Sequence, residues 1–387
     1  MQGNKIKRNL WHRFIYSFLW HTIGPLIKRV MRYKCDVVRG PDSPSLIISN
    51  HCTDIDPALV GLGFSRHMYF LASEHAFRNG LPSKLMRAVF DPIPINKARA
   101  DVNAIKEMIN RLKAGVNVCI FPEGDRTFTG TTAHIALSTA KLAKKSGADL
   151  VTFRLEGGYF TAPRWTKKFR KGEMTGRMIG RYSADELKIM TDEQVLELME
   201  RDIYEDAYER QKARCIRYRG KNLAENIETA LYICPGCKNL GTIRSEGDRF
   251  FCGCGLEGVY TETGFLEGES LPFSTTADWD EWQTEQLREI IANSGDGPIC
   301  SDECQQLYEV NPAVDKTLIG EGQLRINREN LECAGMTFPL GSITQVVVVG
   351  QMAIEFAVID GATYEIRSKT PRSALKYREI FRLLAKN

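Results

Sequence analysis

Between about residues 35 and 215 the chain alternates short apolar runs with stretches whose apolar residues recur at helical spacing. Runs at 35–38, 46–49, 68–71, 116–121 and 150–154 are expected to be strands. The stretch 134–146 is expected to be a helix ended by Gly147. Strands of this length separated by helices predict an α/β domain over residues 35–215, a mostly parallel sheet flanked by helices. Ligands of such sheets collect at the strand ends.

The flanking regions have different textures. In residues 10–23, Leu10, Trp11, Phe14, Ile15, Phe18 and Leu19 share one helical face, opposite Arg13 and Ser17. Gly24-Pro25 interrupts the pattern, and Leu26, Ile27 and Val30 resume it beside Lys28, Arg29 and Arg32. Residues 1–34 therefore read as a kinked pair of amphipathic helices in a membrane interface; the plainer alternative is a helix packed on its own domain. The apolar run from 14 to 27 is shorter than the ~20 residues a spanning helix needs.

A composition shift near Tyr232 opens a small cysteine-bearing unit at 232–265. A linker with a helix at 278–292 fills 266–315, and a β-rich module follows at 316–387. Its strands are expected at 323–327, 343–349, 353–359 and 363–367, with Asp360-Gly361 as a hairpin turn. Thr370-Pro371 is expected to start a closing helix. A meander closed by one helix resembles the pleckstrin-homology or GRAM superfold in topology alone.

Composition adds a direction to this outline. The chain has 387 residues, 43% hydrophobic and 26% charged, with a net charge of +4. Lys5, Lys7, Arg8, Arg13, Lys28, Arg29, Arg32 and Lys34 all precede the first acidic residue, Asp36. Such an arm favours an anionic partner, either a membrane surface or nucleic acid. The cysteine unit is not basic, since Lys238, Arg244 and Arg249 face Glu246, Asp248, Glu257 and Glu262; nucleic acid is not an expected partner. There is no signal-peptide pattern, and the cysteines are expected to be reduced. The expected location is the cytoplasmic face of a membrane, with the protein bound peripherally.

Two strand exits carry the chemistry. Leu46-Ile47-Ile48 leads into Ser49-Asn50-His51-Cys52-Thr53-Asp54-Ile55-Asp56-Pro57, which sets a histidine and an aspartate five residues apart. A neutral histidine can take a hydroxyl proton while a carboxylate orients the ring. Asp56-Pro57 is also how a helix starts, with aspartate as cap and proline next. The run 116–121 leads into Phe121-Pro122-Glu123-Gly124-Asp125-Arg126-Thr127, offering an arginine suited to a phosphate.

Taken together in this order, the two segments resemble the lysophospholipid acyltransferase family of the glycerol-phosphate acyltransferase superfamily, with its N-H-x4-D and F-P-E-G-x-R-[ST] blocks. Asn50, His51 and Asp56 match the first; Phe121, Pro122, Glu123, Gly124, Arg126 and Thr127 match another. Weaker blocks fall at Pro94-Ile95-Asn96-Lys97 and at 151–157, and the likeness spans residues 10–214. Lys97 stands where the family usually has arginine, and Arg99 is a possible substitute. The resemblance implies His51 as general base and Asp56 as its orienting partner. It implies acyl-CoA or acyl carrier protein as donor and a lysophospholipid as acceptor, foremost 1-acylglycerol 3-phosphate. Acceptor binding would fall to Asn50, Lys97, Arg99, Glu123, Gly124, Arg126 and Thr127, with Glu123 holding Arg126 or its loop. Cys52 would be a bystander. The rival reading is a lipid- or protein-binding module built on a degenerate acyltransferase.

Cys234-Pro235-Gly236-Cys237 and Cys252-Gly253-Cys254-Gly255 form two close thiol pairs separated by fourteen residues. That spacing suits one tetrahedral structural zinc and resembles a zinc ribbon, with C-x-C in the second pair. Cys300 and Cys304, at helical spacing, are expected to be ordinary thiols.

Overall fold

The computed structural model describes residues 2–39, 43–73, 87–95, 101–311 and 315–385. Its contacts divide into two units, one running to Arg219 and the other from Gly220 onward together with Arg164–Lys168.

The first unit is the expected mostly parallel α/β layer. After helix α1 (Gln2–Val30) come β1 (Tyr33–Cys35), β2 (Ser45–Ser49), α2 (Asp56–Leu62), β3 (Met68–Ser73) and β4 (Ile93–Ile95). Then follow α3 (Val102–Lys113), β5 (Asn117–Ile120), α4 (Leu137–Ser146), β6 (Asp149–Glu156) and the single turn α5 (Gly158–Thr161). The unit closes with β7 (Met174–Tyr182), α6 (Ala184–Ile189), α7 (Asp192–Ile203) and α8 (Ala207–Arg214). The strand order is β1-β7-β6-β2-β5-β3-β4, and every pair is parallel except β6–β7.

Strand β2 is buried along its whole length, which is why it reads as a continuous apolar run. Side chains alternate across the sheet. Leu46 and Ile48 join Met108, Leu112, Ala140, Val195 and Met199 beneath α3, α4 and α7. Ile47 joins Tyr33, Leu59, Val60, Val151 and Phe153 on the face covered by α2. Each of the buried Leu, Ile, Val, Met and Phe side chains contributes about 1.5–3 kcal/mol. The central strand is thereby clamped from both faces, which fixes the position of its exit at Asn50.

The N-terminal segment departs from expectation. It is one helix through Gly24 and Pro25, not a pair. Proline forgoes one helical bond, but the segment is tied to the domain on both sides of it. A Cβ at Gly24 would sit 2.5 Å from Leu62 Cδ2, so the missing side chain permits close packing on α2. The Tyr16 hydroxyl donates to the carbonyls of Gly61 and Phe64, at 2.6 and 3.0 Å. His12 Nδ1 lies 3.0 Å from the Tyr69 hydroxyl. The docked face is thus polar and aromatic, while Trp11, Phe14 and Phe18 are 54%, 65% and 56% exposed. Ile15 and Leu19, expected on that same face, are half-buried. Among the described residues no helix is long and apolar enough to cross a membrane.

The second unit contains two antiparallel sheets. Strands β8 (Ile243–Glu246), β9 (Arg249–Cys252), β10 (Glu257–Tyr260) and β11 (Leu266–Glu267) form one, in the order β11-β10-β9-β8. Helix α9 (Thr276–Asn293) follows, near the expected 278–292. The second sheet comprises β12 (Cys300–Asn311), β13 (Asp315–Ile326), β14 (Asn330–Cys333), β15 (Met336–Pro339), β16 (Ile343–Val349), β17 (Ala353–Val358) and β18 (Thr363–Ser368). Its order is β15-β14-β13-β12-β18-β17-β16, and α10 (Leu375–Leu384) ends the chain's described helices.

Three details differ from the sequence reading. The second sheet starts at Cys300, inside the stretch expected to be linker, because β12 is pinned between β13 and β18. Cys300 and Cys304 are therefore on a strand, and their helical spacing is accidental. The last helix starts at Leu375, four residues beyond Pro371, since the Ser373 hydroxyl donates to Thr229 O and accepts from Lys376 N.

Candidate active site and thiol cluster

The exit of β2 and the exit of β5 lie side by side because the two strands pair in parallel, Ile48 opposite Ile120. That pairing brings Asn50, His51 and Asp56 to the loop of Glu123, Gly124, Arg126 and Thr127. His51 Nδ1 lies 2.8 Å from Asp56 Oδ2. The aspartate side chain is fully buried, and the histidine is 17% exposed. The imidazole stacks on Phe121, with centroids 4.4 Å apart and planes inclined by 23°. One face of the ring and its Nδ1 are thus fixed, and Nε2 lies outside these contacts.

Asp56 is not the cap of α2, contrary to its reading as an N-cap. Ile55 takes that position and Asp56 is the first helical residue. Its carboxylate turns back to the loop, where Oδ2 accepts from Cys52 N and Thr53 N at 2.6 and 2.8 Å and Oδ1 accepts from the Thr53 hydroxyl at 2.5 Å. These donors satisfy a buried charge that would otherwise be costly. They also keep both oxygens acceptors, so that the histidine is set with its proton on Nδ1.

The second loop is locked to the first through the backbone. Glu123 Oε1 accepts from His51 N at 2.6 Å and Oε2 accepts from Ala133 N at 2.7 Å. Thr127 N donates to His51 O at 2.9 Å. Burial pushes the Glu123 carboxyl up to about 8, against the two N–H donors that favour its charge, and Asp56 and Asp125 raise it further. Glu123 therefore holds the loop, as one of its two expected roles required, but it does not hold Arg126. Asp54 does so, with Oδ1 3.3 Å from Arg126 Nε. Gly124 has φ +74, the left-handed region in which glycine is unstrained.

Asn50 is structural in position: its side chain exchanges two 2.8 Å hydrogen bonds with the Leu155 N–H and carbonyl, stitching the β2 exit to β6. Thr127 Oγ1 donates to Thr131 O and accepts from Gly130 N, closing the Arg126 turn. Cys52 is buried, with its thiol pushed well up by burial and by Asp56, which makes it a poor nucleophile. Lys97 and Arg99 lie outside the described residues. Of the basic residues between 164 and 171, Arg164 and Arg170 are buried and Lys167, Lys168 and Lys171 are exposed. Sequence reasoning missed Asp54, whose only signal was its place between His51 and Asp56, and Ala133, which acts through its backbone and leaves no signal.

The four cysteines form a second, closed constellation. Cys234, Cys237, Cys252 and Cys254 hold their sulfurs within 4.8 Å of one another. Two of the separations are 3.6 Å (Cys234–Cys254) and 3.8 Å (Cys237–Cys252). A tetrahedral ion with metal–sulfur bonds of about 2.3 Å has sulfur–sulfur edges of about 3.8 Å, so the cluster has the dimensions of a metal site. Each pair sits on a tight backbone turn, Lys238 N donating to Cys234 O and Gly255 N to Cys252 O. A Cβ at Gly236 would lie 3.1 Å from Cys254 Sγ, which explains a glycine in the first turn.

Residues 31–156 match the family model described as Acyltransferase, and this range contains every residue of the His51 site described above. The chain thus carries an acyltransferase-family domain. Among solved structures it is similar to the 1-acyl-sn-glycerophosphate (LPA) acyltransferase PlsC from Thermotoga maritima. Identity is 22% over 51% of this chain and 82% of that one, with a TM-score of 0.41. It is also similar to the C-terminal domain of an unknown protein from Leishmania infantum, with 16% identity over 21% of this chain and 80% of that one and a TM-score of 0.14.

Proposed function

We propose that the chain transfers a fatty acyl group from acyl-CoA or acyl carrier protein to the free hydroxyl of a lysophospholipid, with 1-acylglycerol 3-phosphate as the acceptor. The observation that carries this reading is the 2.8 Å contact between His51 Nδ1 and the buried Asp56 carboxylate, at the edge of an acyltransferase-family domain. His51 Nε2 removes the acceptor's hydroxyl proton as the oxygen attacks the thioester carbonyl. Asp56 stabilises the imidazolium that forms. The tetrahedral intermediate then expels the thiol sulfur, which takes the proton back from His51, giving an ester and a free thiol. Arg126, oriented by Asp54, supplies a cation for the acceptor phosphate, and Lys97 and Arg99 are proposed to assist it.

The apolar outer face of α1 supports peripheral attachment to a membrane, since Trp11, Phe14 and Phe18 point away from the domain. The cysteine cluster is read as a zinc ribbon in which Cys234, Cys237, Cys252 and Cys254 hold one ion. Zinc there would supply a structural cross-link. The C-terminal sheet, with its meander order and closing helix, is read as pleckstrin-homology-like or GRAM-like.

The test is acyl transfer by purified protein across glycerol 3-phosphate and several lysophospholipids, with products identified by mass spectrometry. Formation of phosphatidic acid from 1-acylglycerol 3-phosphate is expected. Absence of transfer to every acceptor, from either donor, would reject the reading.

A further inference from the structure

A cationic cavity of about 600 Å³ opens at the end of α1. Lys28, Arg29, Arg32, Lys34, Arg217 and Arg219 line it, against a single carboxylate, Glu173. That carboxylate is already engaged by Arg214 at 2.7 Å and Lys34 at 3.4 Å. Lys28 and Arg29 close the last turn of a helix, where cations are favoured by the helix dipole. The dipole does not explain Arg32 or Lys34 beyond the helix, nor Arg217 and Arg219, which arrive from the far end of the unit. Like charges brought together in a concavity of ligand size are costly without an anion to share. Arg32 also holds φ +50, an unfavourable conformation for a non-glycine residue.

The cavity opens at the same edge of the sheet as the base. β1 runs parallel to the start of β7, Tyr33 opposite Met174. The start of β7 pairs with the end of β6, Thr175 opposite Glu156, and β6 runs parallel to β2, whose exit delivers His51. Strands β1 and β2 are three spacings apart, about 14 Å at 4.7–4.9 Å each. Leu26 and Val30, on the last turns of α1, are 60% and 58% exposed.

We propose that this cavity is a second phosphate-binding site, separate from the Arg126 loop. Its ligand is a phosphate ester that can arrive from two sources: the headgroup of an acidic phospholipid, or the phosphates of the coenzyme A that bears the acyl group. Coenzyme A as a source rests on the acyltransferase reading; the anion site itself does not.

The test uses the full chain and two sets of probes. Calorimetric titration with coenzyme A and with adenosine 3′,5′-bisphosphate reads the nucleotide source. Co-flotation with phosphatidylcholine vesicles, with and without phosphatidic acid, reads the headgroup source as the gain that the acidic lipid gives. The variant Arg29→Gln/Arg32→Gln/Arg217→Gln/Arg219→Gln is compared with a charge-matched control on α3 and α4, Lys106→Gln/Lys113→Gln/Lys141→Gln/Lys145→Gln. The four control lysines are exposed. Loss of several charge-assisted contacts should weaken one source by about tenfold or more in the cavity variant and leave the control near wild type. Loss on the soluble probes assigns the nucleotide, and loss of the acid-dependent gain assigns the headgroup. Equal behaviour of the two variants on both sets overturns the proposal, with Arg219→Gln alone as the check if the quadruple variant melts early. His51→Ala should bind both sets like wild type, so a failed transfer assay and a failed anion site are read separately.

Discussion

The His51 site and the four-cysteine cluster are both built from short loops at strand ends, yet they close differently. In the cluster the four sulfurs all lie within 4.8 Å of one another. In the His51 site the partners saturate one side only: Asp56 takes three loop donors and the ring's Nδ1, while Nε2 stays outside that network. On the proposed reading, the closed set cross-links and the open one reacts. This is the same distinction that separates structural from catalytic metal sites, here drawn between a thiol cage and a histidine–carboxylate pair.

The largest expected effect breaks the closed site. Purified protein should carry about one zinc per chain, measured by emission spectroscopy, and Cys234→Ser/Cys237→Ser should lose it. Structural zinc sites of this type are worth on the order of 10–16 kcal/mol, so thermal melting should show residues 220–387 destabilised. Retention of zinc by the double variant would reject the four-thiolate assignment.

Next comes the open site. His51→Ala should lower acyl transfer about 10²–10⁴-fold with an unchanged melting profile, as for loss of a general base. Asp56→Asn should approach the same loss, because an amide N–H would face one of the donors now satisfied by the carboxylate and the ring would lose its orienting charge. An asparagine variant close to wild type in kcat would show that the pair is only structural.

A smaller effect probes the lock between the two loops. Above about pH 8, where the Glu123 carboxyl is ionised, Glu123→Gln keeps one acceptor but turns an N–H donor toward the other backbone N–H. It should cost about 1–3 kcal/mol of stability and reduce kcat with little change in donor KM. Unaltered stability would mean the loops are held without it.

A last effect, confined to acid pH, concerns His67, which packs against His12 and Tyr16 of α1. Burial, with His12, Arg13 and Arg111 nearby, pushes His67 down to about 3. The unfolded chain binds this proton below about 6.5 and the folded one does not, so stability at this site is present at neutral pH and falls as pH drops from 6.5 toward 3. His67→Phe should flatten that part of the melting-temperature profile, and an unchanged slope would place the pH dependence elsewhere.

The central strands and both strand-exit loops were legible because buried parallel strands are continuous apolar runs, and the loops follow them directly. Strand β7 was not, since Met174–Tyr182 is only partly buried and alternates irregularly. Strand β12 begins Cys-Ser-Asp-Glu-Cys-Gln-Gln, a polar texture that reads as linker until its partners on both sides are known. The histidine and its aspartate were readable five residues apart. The roles of Glu123 and Asp54 were not, because they depend on which loop each carboxylate faces. Periodicity also found the apolar face of α1 but could not say that a polar face, with His12 and Tyr16, is the docked one.

That inverted docking fixes an angle. Hydrogen bonds from Tyr16 to Gly61 and Phe64, and the His12–Tyr69 contact, determine the rotation of α1 about its own axis. Each residue of an α-helix advances that rotation by about 100°. One extra residue between Tyr16 and Gly24 would leave the first half of the helix docked and swing the second half by that amount, or the reverse. The exposed Leu26 and Val30 would then be turned by about that angle relative to Phe14 and Phe18. The helix behaves as a keel keyed to its hull, and the direction in which Trp11, Phe14 and Phe18 face is written into the register of a few side chains.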